Sequence, residues 1–282
     1  MPSTAAGLAE FIRARLEAER AALSAQFATP GTVRSCVLDG LLPENLAREL
    51  FAAFPERTEM RRRHGLRESK YVSAQLDRHA PLIEEAVFAF QDPRVVVLLG
   101  EITGLAPLIP DPRLYAGGIS LMSRGCFLNP HLDNSHDAEQ ALYRSLNSLY
   151  YLTPGWRLEN GGNLELWDLG PRGAPRTLES CFNRLVLMET TRDSWHSVSP
   201  IVAGEKRTCV SNYFFRKESP TGRDYFHATS FRGRPGQRAR DLLLRADNLA
   251  RTAILSVVPV PTWHIYRKSA SPATRPGKRT PG

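Results

Sequence analysis

The chain begins with hydrophobic residues that recur at helical spacing. They are Leu8, Phe11, Ile12, Leu16 and Leu23. Residues three or four positions apart share one face of an α-helix, so this pattern predicts an amphipathic helix over residues 6–27 that ends before Pro30. The chain is therefore expected to open with a helix that buries one face.

The following segments, up to residue 105, are predicted to be mostly helical as well. Proline boundaries, an Asp92 cap and apolar spacing predict helices over residues 43–54, 82–90 and 93–102. Residues 33–38 are predicted to form a short strand, and residues 55–78 a charged, irregular loop. Residues 1–105 are thus expected to be mainly a helical support.

From residue 114 onward, the pattern changes to short β-favouring runs separated by Gly, Pro and Asn. These runs span residues 115–122, 126–132, 145–152, 163–167, 185–188 and 208–215. Several short strands with turn residues between them are typical of a sandwich or barrel. We therefore expect an α+β protein with an all-β core over residues 114–216.

The last part of the sequence divides into a helical segment and a basic tail. Apolar residues between Leu242 and Val257 predict a C-terminal helix on the outside of the sheet, within an extension over residues 217–265. Residues 266–282 combine basic residues with Ser, Pro and Gly and have no apolar pattern, which is typical of a disordered end. The predicted organisation is one domain, residues 1–265, followed by this tail.

Composition excludes several classes of protein. A chain of 282 residues that is 42% hydrophobic can form a sizeable core. The first residues carry charges within their apolar pattern, unlike a secretory signal, and no stretch approaches the run of about 18 apolar residues that a membrane span requires. The four cysteines are scattered, as is typical of reduced thiols. We expect a cytoplasmic protein that does not span a membrane, and its oligomeric state is left open.

A net charge of +8 raises the question of nucleic-acid binding. The basic residues concentrate in the tail and in the predicted loop, at Arg267, Lys268, Arg275, Lys278 and Arg279 and at Arg61, Arg62, Arg63, Arg67 and Lys70. Both groups are predicted to be solvated surface, so nucleic acid is not the expected partner.

His131 and Asp133 are the first candidates for metal ligands. Residues two apart on a strand point to the same face, so both side chains can reach one ion. One carboxylate with two imidazoles holds one face of an octahedral Fe(II) and leaves the other positions open, and His196 is the candidate for the second imidazole. His-x-Asp also arises by chance in a chain with seven histidines, so the spacing alone does not establish a site. His136 is predicted to lie in a loop and not to bind metal.

Three further segments accompany these candidate ligands. They are Ser148-Leu149-Tyr150-Tyr151-Leu152, Gly161-Gly162 with Leu164, and Arg207 at the head of an aromatic strand. Together with His131, Asp133 and His196, they resemble the iron(II)- and 2-oxoglutarate-dependent oxygenase superfamily, and within it the prolyl 4-hydroxylase-like branch. The resemblance covers residues 114–216 and implies a double-stranded β-helix, or jelly roll, braced by helices.

The resemblance also implies roles for individual residues. Fe(II) would be bound by His131, Asp133 and His196, and 2-oxoglutarate by Arg207 and Tyr151. Ser211 is a further candidate contact for 2-oxoglutarate, from its position on the strand and not from the resemblance. Arginine suits the distal carboxylate because its planar guanidinium donates two parallel hydrogen bonds. Strand alternation places Ser211 on the face of Arg207 and sends Lys206 to the opposite face. Leu121 departs from the tyrosine that some relatives have at this position.

The activity implied by the resemblance is hydroxylation of an unactivated C–H bond with O2, while 2-oxoglutarate is decarboxylated to succinate. Ascorbate is a candidate stimulant. Related halogenases replace the carboxylate ligand by a small residue, so Asp133 favours hydroxylation. The expected substrate is derived from an amino acid and is small or peptidyl: a prolyl residue, or a free or carrier-bound amino acid. Arg144 is a candidate contact for an anionic substrate group.

Two alternatives remain open. A natural-product tailoring oxygenase, catalysing hydroxylation, desaturation or cyclisation of a small metabolite, would use the same ligands. A non-catalytic jelly-roll module that binds nucleic acid through its basic loop and tail would need no iron. The loops expected to select the substrate, residues 55–78, 134–144 and 168–182, carry no recognisable signature.

Overall fold

The computed structural model describes residues 3–255 and 265–269 of the chain. The helices in these ranges are α1 (Ala5–Ala18), α2 (Arg20–Phe27), α3 (Glu44–Ala52), α4 (Pro81–Ala89), α5 (Pro93–Thr103) and α6 (Arg238–Leu255). The strands are β1 (Ser35–Asp39), β2 (Arg61–His64), β3 (Glu68–Ser73), β4 (Ile109–Pro110), β5 (Gly118–Met122), β6 (Phe127–Leu132), β7 (Tyr143–Tyr151), β8 (Leu164–Leu166), β9 (Arg176–Leu178), β10 (Arg184–Glu189), β11 (His196–Val198), β12 (Arg207–Arg216) and β13 (Ser230–Phe231). Helices thus dominate the first part of the chain and strands the second, as predicted.

The strands form a curled antiparallel sheet. Its main path runs β1-β10-β7-β12-β5-β3-β6-β11-β8-β9, and β2, β4 and β13 extend it by pairing with β3, β12 and β6. Because the sheet curls, β7 and β12 face β6 and β11 across a cavity that all four strands line. This is the predicted double-stranded β-helix core.

The helices brace the outer face of one side of the sheet. Side chains alternate along β7, so that Leu146 and Tyr150 join the core formed with Leu8 and Ile12 of α1, whereas Tyr151 points inward to the cavity. This two-sided burial follows from the period of two along a strand. The helical layer therefore holds the strands that carry the cavity residues.

The single helix predicted over residues 6–27 is two helices. α1 ends at Ala18 and α2 begins at Arg20, and neither glycine nor proline marks the break at Glu19. Leu16, Leu23 and Phe27 are nevertheless buried. The apolar spacing correctly predicted the buried face, but it carried no signal for the break.

The prediction of an irregular loop over residues 55–78 was wrong. β2 and β3 form an antiparallel hairpin in which Arg61 pairs with Val72 and Arg63 with Lys70. Within the described part of the chain, β2 hydrogen-bonds only to β3, and Arg62 is exposed. A strand at such an edge needs no apolar alternation, which explains why its sequence did not indicate a strand.

Four short strands were not predicted either. β4 and β13 have 2 residues each, and β9 and β11 have 3 residues each. Runs of this length are too short to show a period of two. β11 nevertheless matters for the site, because it begins with His196.

The helix predicted for the outside of the sheet packs against β13 and β6 instead, and its Arg251 lines the cavity. α6 begins at Arg238, earlier than predicted, and its Leu244 is buried in a cluster with Leu128 and Phe231. Residues 256–257 of the predicted helix lie outside the described residues.

Residues 265–269, which we call the strap, contact the helical support. Ile265 is buried, the Tyr266 hydroxyl donates a hydrogen bond to Glu84 of α4 at 2.6 Å, and the Ser269 amide donates one to Asp77 at 2.7 Å. Residues 266–269 thus pack against the domain, although they were predicted to belong to the tail. The rest of that predicted tail, residues 270–282, lies outside the described residues.

No helix in residues 3–255 or 265–269 is long and apolar enough to cross a membrane. Cys36, Cys126, Cys181 and Cys209 are free thiols, and Cys181 is the most accessible of them.

Candidate active site

The structure brings His131, Asp133 and His196 together. His131 lies near the end of β6 and pairs across the ladder with His196 of β11, while Asp133 directly follows β6. One ligand atom from each residue lies within 4.8 Å of the others, and all three side chains are buried. Two imidazole nitrogens and one carboxylate oxygen therefore lie close enough together to bind a single metal ion, as expected from the sequence.

Backbone carbonyls fix the orientation of both imidazoles. His131 Nδ1 lies 3.0 Å from the carbonyl oxygen of Asn129, and His196 Nδ1 lies 2.9 Å from that of Ser194. A carbonyl only accepts, so each Nδ1 carries the proton and donates. Each Nε2 is therefore left as a lone-pair donor, and it lies 3.7 Å from an oxygen of Asp133 in both cases.

The protonation states suit a divalent cation. Burial, together with repulsion from His196, lowers the pKa of His131 to about 3. Burial alone would raise the pKa of Asp133, but attraction to Arg144 and to the two histidines outweighs burial and holds that pKa below its usual range. At neutral pH His131 is uncharged and Asp133 is ionised, which are the forms that bind a metal.

Two side chains hold the Asp133 carboxylate in place. Asn147 Nδ2 donates to Asp133 Oδ2 at 2.8 Å, and a terminal nitrogen of Arg144 lies 3.6 Å from the same oxygen. Both contacts are on Oδ2, so Oδ1 carries no contact from either residue. Partners of this kind orient metal ligands.

A β-bulge directs Arg144 into the cavity. The pairing of β7 with β12 shifts between Phe214, which faces Leu146, and Phe215, which faces Arg144. The extra residue on β7 is Ser145, and it turns Arg144 to the side of the sheet that lines the cavity. The guanidinium stacks 4.4 Å from the Tyr213 ring centroid and donates to Asn134 Oδ1 at 2.7 Å. The arginine suggested by the sequence as a substrate contact is thus buried beside Asp133.

Arg207 lies at the start of β12 and is only 3% exposed. One terminal nitrogen donates to Ser180 Oγ at 3.1 Å, the other lies 3.7 Å from the Met122 sulfur, and Nε has no partner. Among the described residues, no carboxylate forms an ion pair with Arg207. A buried cation without a counter-ion is costly, so this position favours an anionic ligand.

Tyr151 lies against the Arg207 guanidinium, whose central carbon is 4.6 Å from the ring centroid. Burial raises the pKa of Tyr151 well above its ordinary value, despite the opposing effect of Arg207. The hydroxyl therefore stays protonated and available as a donor. Ser211 lies farther along β12 and lines the same cavity, with Oγ 3.7 Å from Cys209 Sγ.

Residues that the sequence placed outside the site lie elsewhere. Lys206 turns away from Arg207, and its Nζ lies 2.7 Å from a carboxylate oxygen of Glu56. The His136 ring packs 4.4 Å from the Tyr143 ring and does not belong to the three-residue cluster. Leu121 is buried in the helix-facing core.

The paired glycines allow a close crossing next to β8. Gly161 has φ +76, and a Cβ there would lie 2.0 Å from the carbonyl oxygen of Pro200. Gly162 has φ +70, and its Cβ would meet the Ile201 side chain at 2.9 Å. Only glycine fits both conditions, so the pair fixes the approach of β8 to the segment after β11.

One cavity of about 900 Å³ contains all six predicted site residues. We call the buried part formed by His131, Asp133, His196, Tyr151 and Arg207 the inner end. Exposed or half-buried basic residues also line the cavity, and we call the part formed by five of them, Arg61, Arg63, Lys70, Arg78 and Arg267, the mouth. The cavity therefore leads from a charged rim to the three candidate metal ligands.

Some residues that line the cavity, or that contact its lining residues, were not identified from the sequence. Asn147 could have been, because it follows the same alternation along β7 as Tyr151. Ser180 could not, because it lies in a loop and reaches Arg207 only through the curl of the sheet. The position of Arg267 at the mouth depends on the packing of the strap, for which the sequence gave no signal.

The sequence comparisons agree with this geometry. Residues 117–215 match the model of the 2OG-Fe(II) oxygenase superfamily, which is named for the metal and cosubstrate that its members use. The mouse protein "Prolyl 3-hydroxylase OGFOD1" is 32% identical over 77 residues, which are 26% of this chain and 14% of the mouse protein. The match thus spans a small part of that relative.

Solved structures with the same fold include two prolyl hydroxylases. A prolyl-4-hydroxylase from Pseudomonas putida is 22% identical with a TM-score of 0.53, over 70% of this chain and 98% of that one. A Trichoplax adhaerens prolyl hydroxylase, solved with a hypoxia-inducible-factor peptide fragment, is 17% identical with a TM-score of 0.52, over 72% of this chain and 92% of that one. These similarities confirm the fold.

Proposed function

Because residues 117–215 match the model of the 2OG-Fe(II) oxygenase superfamily, we propose that this chain is a dioxygenase that hydroxylates an unactivated C–H bond of an amino-acid-derived substrate. The observation that supports this function best is the pairing, in one cavity, of the His131, Asp133 and His196 cluster with a buried Arg207 that lacks a carboxylate partner. The first feature suits Fe(II) and the second suits 2-oxoglutarate.

The donor set fits the metal. His131 Nε2, His196 Nε2 and Asp133 Oδ1 would hold one face of Fe(II) and leave the remaining positions to ligands from the cavity. When bound, Fe(II) with O2 and 2-oxoglutarate supplies the oxidation that adds one oxygen atom to the substrate, while 2-oxoglutarate becomes succinate and CO2. Hydroxylation is favoured over halogenation because Asp133 occupies the position where halogenases have a small residue.

The chain's own residues would bind 2-oxoglutarate and orient the Asp133 carboxylate. Arg207 would grip the distal carboxylate of 2-oxoglutarate, with the Tyr151 hydroxyl and Ser180 Oγ beside it. Ser211 would line the same pocket two residues beyond Cys209 on the inward face of β12. Asn147 and Arg144 would keep Asp133 Oδ2 occupied, so that Oδ1 stays directed at the metal.

A prolyl residue in a polypeptide is the favoured substrate. The mouse relative is a prolyl 3-hydroxylase, and the two similar structures are prolyl hydroxylases, one of them with a bound peptide. The cavity is near the upper end of the roughly 300–1,000 Å³ range of ligand sites, which leaves room beyond the inner end for more than 2-oxoglutarate. A cytoplasmic location fits the four free thiols.

Product analysis tests this function. The purified protein would be incubated with Fe(II), ascorbate, 2-oxoglutarate and a panel of proline-containing peptides, free amino acids and small metabolites, and the products identified by mass spectrometry. We expect a peptide that gains one oxygen atom and an equal amount of succinate, with neither product from the His196→Ala variant. Loss of two hydrogens, or oxidation of a small metabolite alone, would instead indicate a tailoring oxygenase.

A further inference from the structure

Basic side chains greatly outnumber acidic ones around the cavity. Nine arginine or lysine side chains line it, against three carboxylates, those of Glu59, Glu68 and Asp133. Two of the nine, Arg144 and Arg207, belong to the buried part and already have assigned partners or ligands. The remaining excess of positive charge lies toward the mouth, where the proposed iron and 2-oxoglutarate do not reach.

The neighbouring acids do not neutralise this charge. The Glu68 carboxylate forms ion pairs with two bases, Arg63 with a nitrogen at 3.7 Å and Lys70 with Nζ at 2.9 Å. Asp247 of α6 is likewise shared between Arg67 and Arg251. Burial, followed by repulsion from Arg63, lowers the pKa of Arg61 despite the attraction of Glu68. Each acid thus offsets one of two bases, and positive charge remains.

Strand β2 of the hairpin presents alternate residues to the cavity. Arg61 and Arg63 line it, together with Lys70 and Val72 of β3, which pair with them. Arg62 lies between them in sequence, is exposed, and does not line the cavity. The side of the hairpin therefore decides which arginines can contact a substrate.

The strap supplies the mouth with another basic residue. Tyr266 anchors the strap, because its amide donates to the Arg113 carbonyl at 2.7 Å and its ring packs 5.3 Å from the Phe88 ring. Arg267 follows and lines the cavity. Lys268 turns to Glu84, with Nζ 3.2 Å from its carboxylate, and does not line the cavity. As in the hairpin, adjacent basic residues face different surroundings.

We propose that the mouth binds acidic side chains of a polypeptide substrate, on either side of the residue delivered to the inner end. This inference rests on the proposed function for the choice of a polypeptide. Basic residues from the hairpin and from the strap, which are far apart in sequence, can each contact a different carboxylate of an extended chain. Opposite charges across such a surface select the partner and accelerate its association.

Peptide binding tests the inference without turnover. The probes are fluorescently labelled peptides with a central proline flanked by glutamates, and matched peptides flanked by glutamines or lysines. Binding to the full chain, loaded with Mn(II) and 2-oxoglutarate and kept free of oxygen, is measured by anisotropy. We expect the glutamate peptide to bind at least about tenfold more tightly than the glutamine peptide at low salt, with the difference shrinking as salt rises.

A pair of double variants with the same change in charge identifies the surface. Arg63→Glu/Arg267→Glu removes one cavity-lining residue from the hairpin and one from the strap. Arg62→Glu/Lys268→Glu changes their immediate neighbours, which do not line the cavity. The first variant should lose at least about tenfold in affinity for the glutamate peptide, and the second should change it less than about twofold. Thermal melting confirms that both variants are folded.

Several results would overturn the inference. Equal binding of the glutamate and glutamine peptides would do so, as would equal losses in the two double variants, which would show unspecific attraction. Tighter binding of a single-stranded oligonucleotide of matched charge would show that the mouth is a nucleic-acid surface instead. Because binding is measured without turnover, a failure to detect hydroxylation leaves each of these results interpretable.

Discussion

The inner end of the cavity lies between paired strands, whereas its mouth is formed by a charged hairpin and the strap. At the inner end, His131 and His196 are neighbours in the ladder between β6 and β11, and their orientation is fixed by backbone carbonyls. At the mouth, Arg63 and Arg267 belong to segments that are remote in sequence, and their side chains are at least partly accessible. The inner end thus has preorganised geometry, and the mouth has mainly charge.

This difference separates two aspects of function. Reactions that need a metal and a cosubstrate require side chains held in fixed positions, which strand pairing provides. Recognition of an acidic segment requires an excess of positive charge and not fixed side-chain positions. Each exposed ion pair contributes little, on the order of 0–1 kcal/mol, so no single pair decides the affinity. We therefore expect changes at the inner end to have larger effects than changes at the mouth.

The largest effect is expected from the loss of a metal ligand. His196→Ala removes one of the three donors, and metal affinity should fall by roughly 100-fold or more, since changes in residues that merely support ligands already cost 10–100-fold. Metal content and competition with a chelator measure this loss. His136→Ala is the matched control, because His136 is also buried but lies outside the cluster. Equal losses in the two variants would contradict the assigned ligands.

A smaller and more selective effect is expected at Arg207. Arg207→Ala should weaken 2-oxoglutarate binding by about 3 kcal/mol, or roughly 100-fold, because a buried charge-assisted contact is lost. Metal affinity should remain unchanged. Lys206→Ala controls for loss of a basic residue next to the start of β12, since Lys206 faces Glu56. If Lys206→Ala weakened 2-oxoglutarate as strongly, Arg207 would not be the carboxylate ligand.

The smallest effect is expected when residues of the mouth are substituted and the affinity for 2-oxoglutarate is measured. Arg63→Glu/Arg267→Glu should change the affinity for 2-oxoglutarate less than about threefold, because exposed charges are screened by salt. Calorimetric titration of the metal-loaded variant measures this affinity. A loss comparable to that of Arg207→Ala would show that the mouth and the inner end are not separate binding regions.

Sequence periodicity placed some of the cavity residues on common sides of their strands, because these residues follow local rules. His131 and Asp133 lie two apart, and Arg207 and Ser211 share one face of β12, so alternation alone placed each pair on a common side. Long-range pairing still had to bring His196 to His131, and the three residues of β11 gave no periodic signal. The family resemblance, and not periodicity, supplied that connection.

The mouth could not be predicted for physical reasons. Strand β2 carries charged residues on both faces and lies at an edge of the sheet, so its sequence resembles that of a loop. Arg267 reaches the cavity only because Tyr266 packs on α4, a contact between residues 182 positions apart. Charge that is scattered along the sequence becomes a binding surface only after folding.

The most direct test of the central claim is titration of the wild-type chain with 2-oxoglutarate, with and without a divalent metal, under anaerobic conditions. The account predicts that about one equivalent binds per chain when Fe(II) or Mn(II) is present, as a single three-residue site requires, and that binding is much weaker without metal. Absence of binding in the presence of metal, or equal binding without it, would contradict the proposed site.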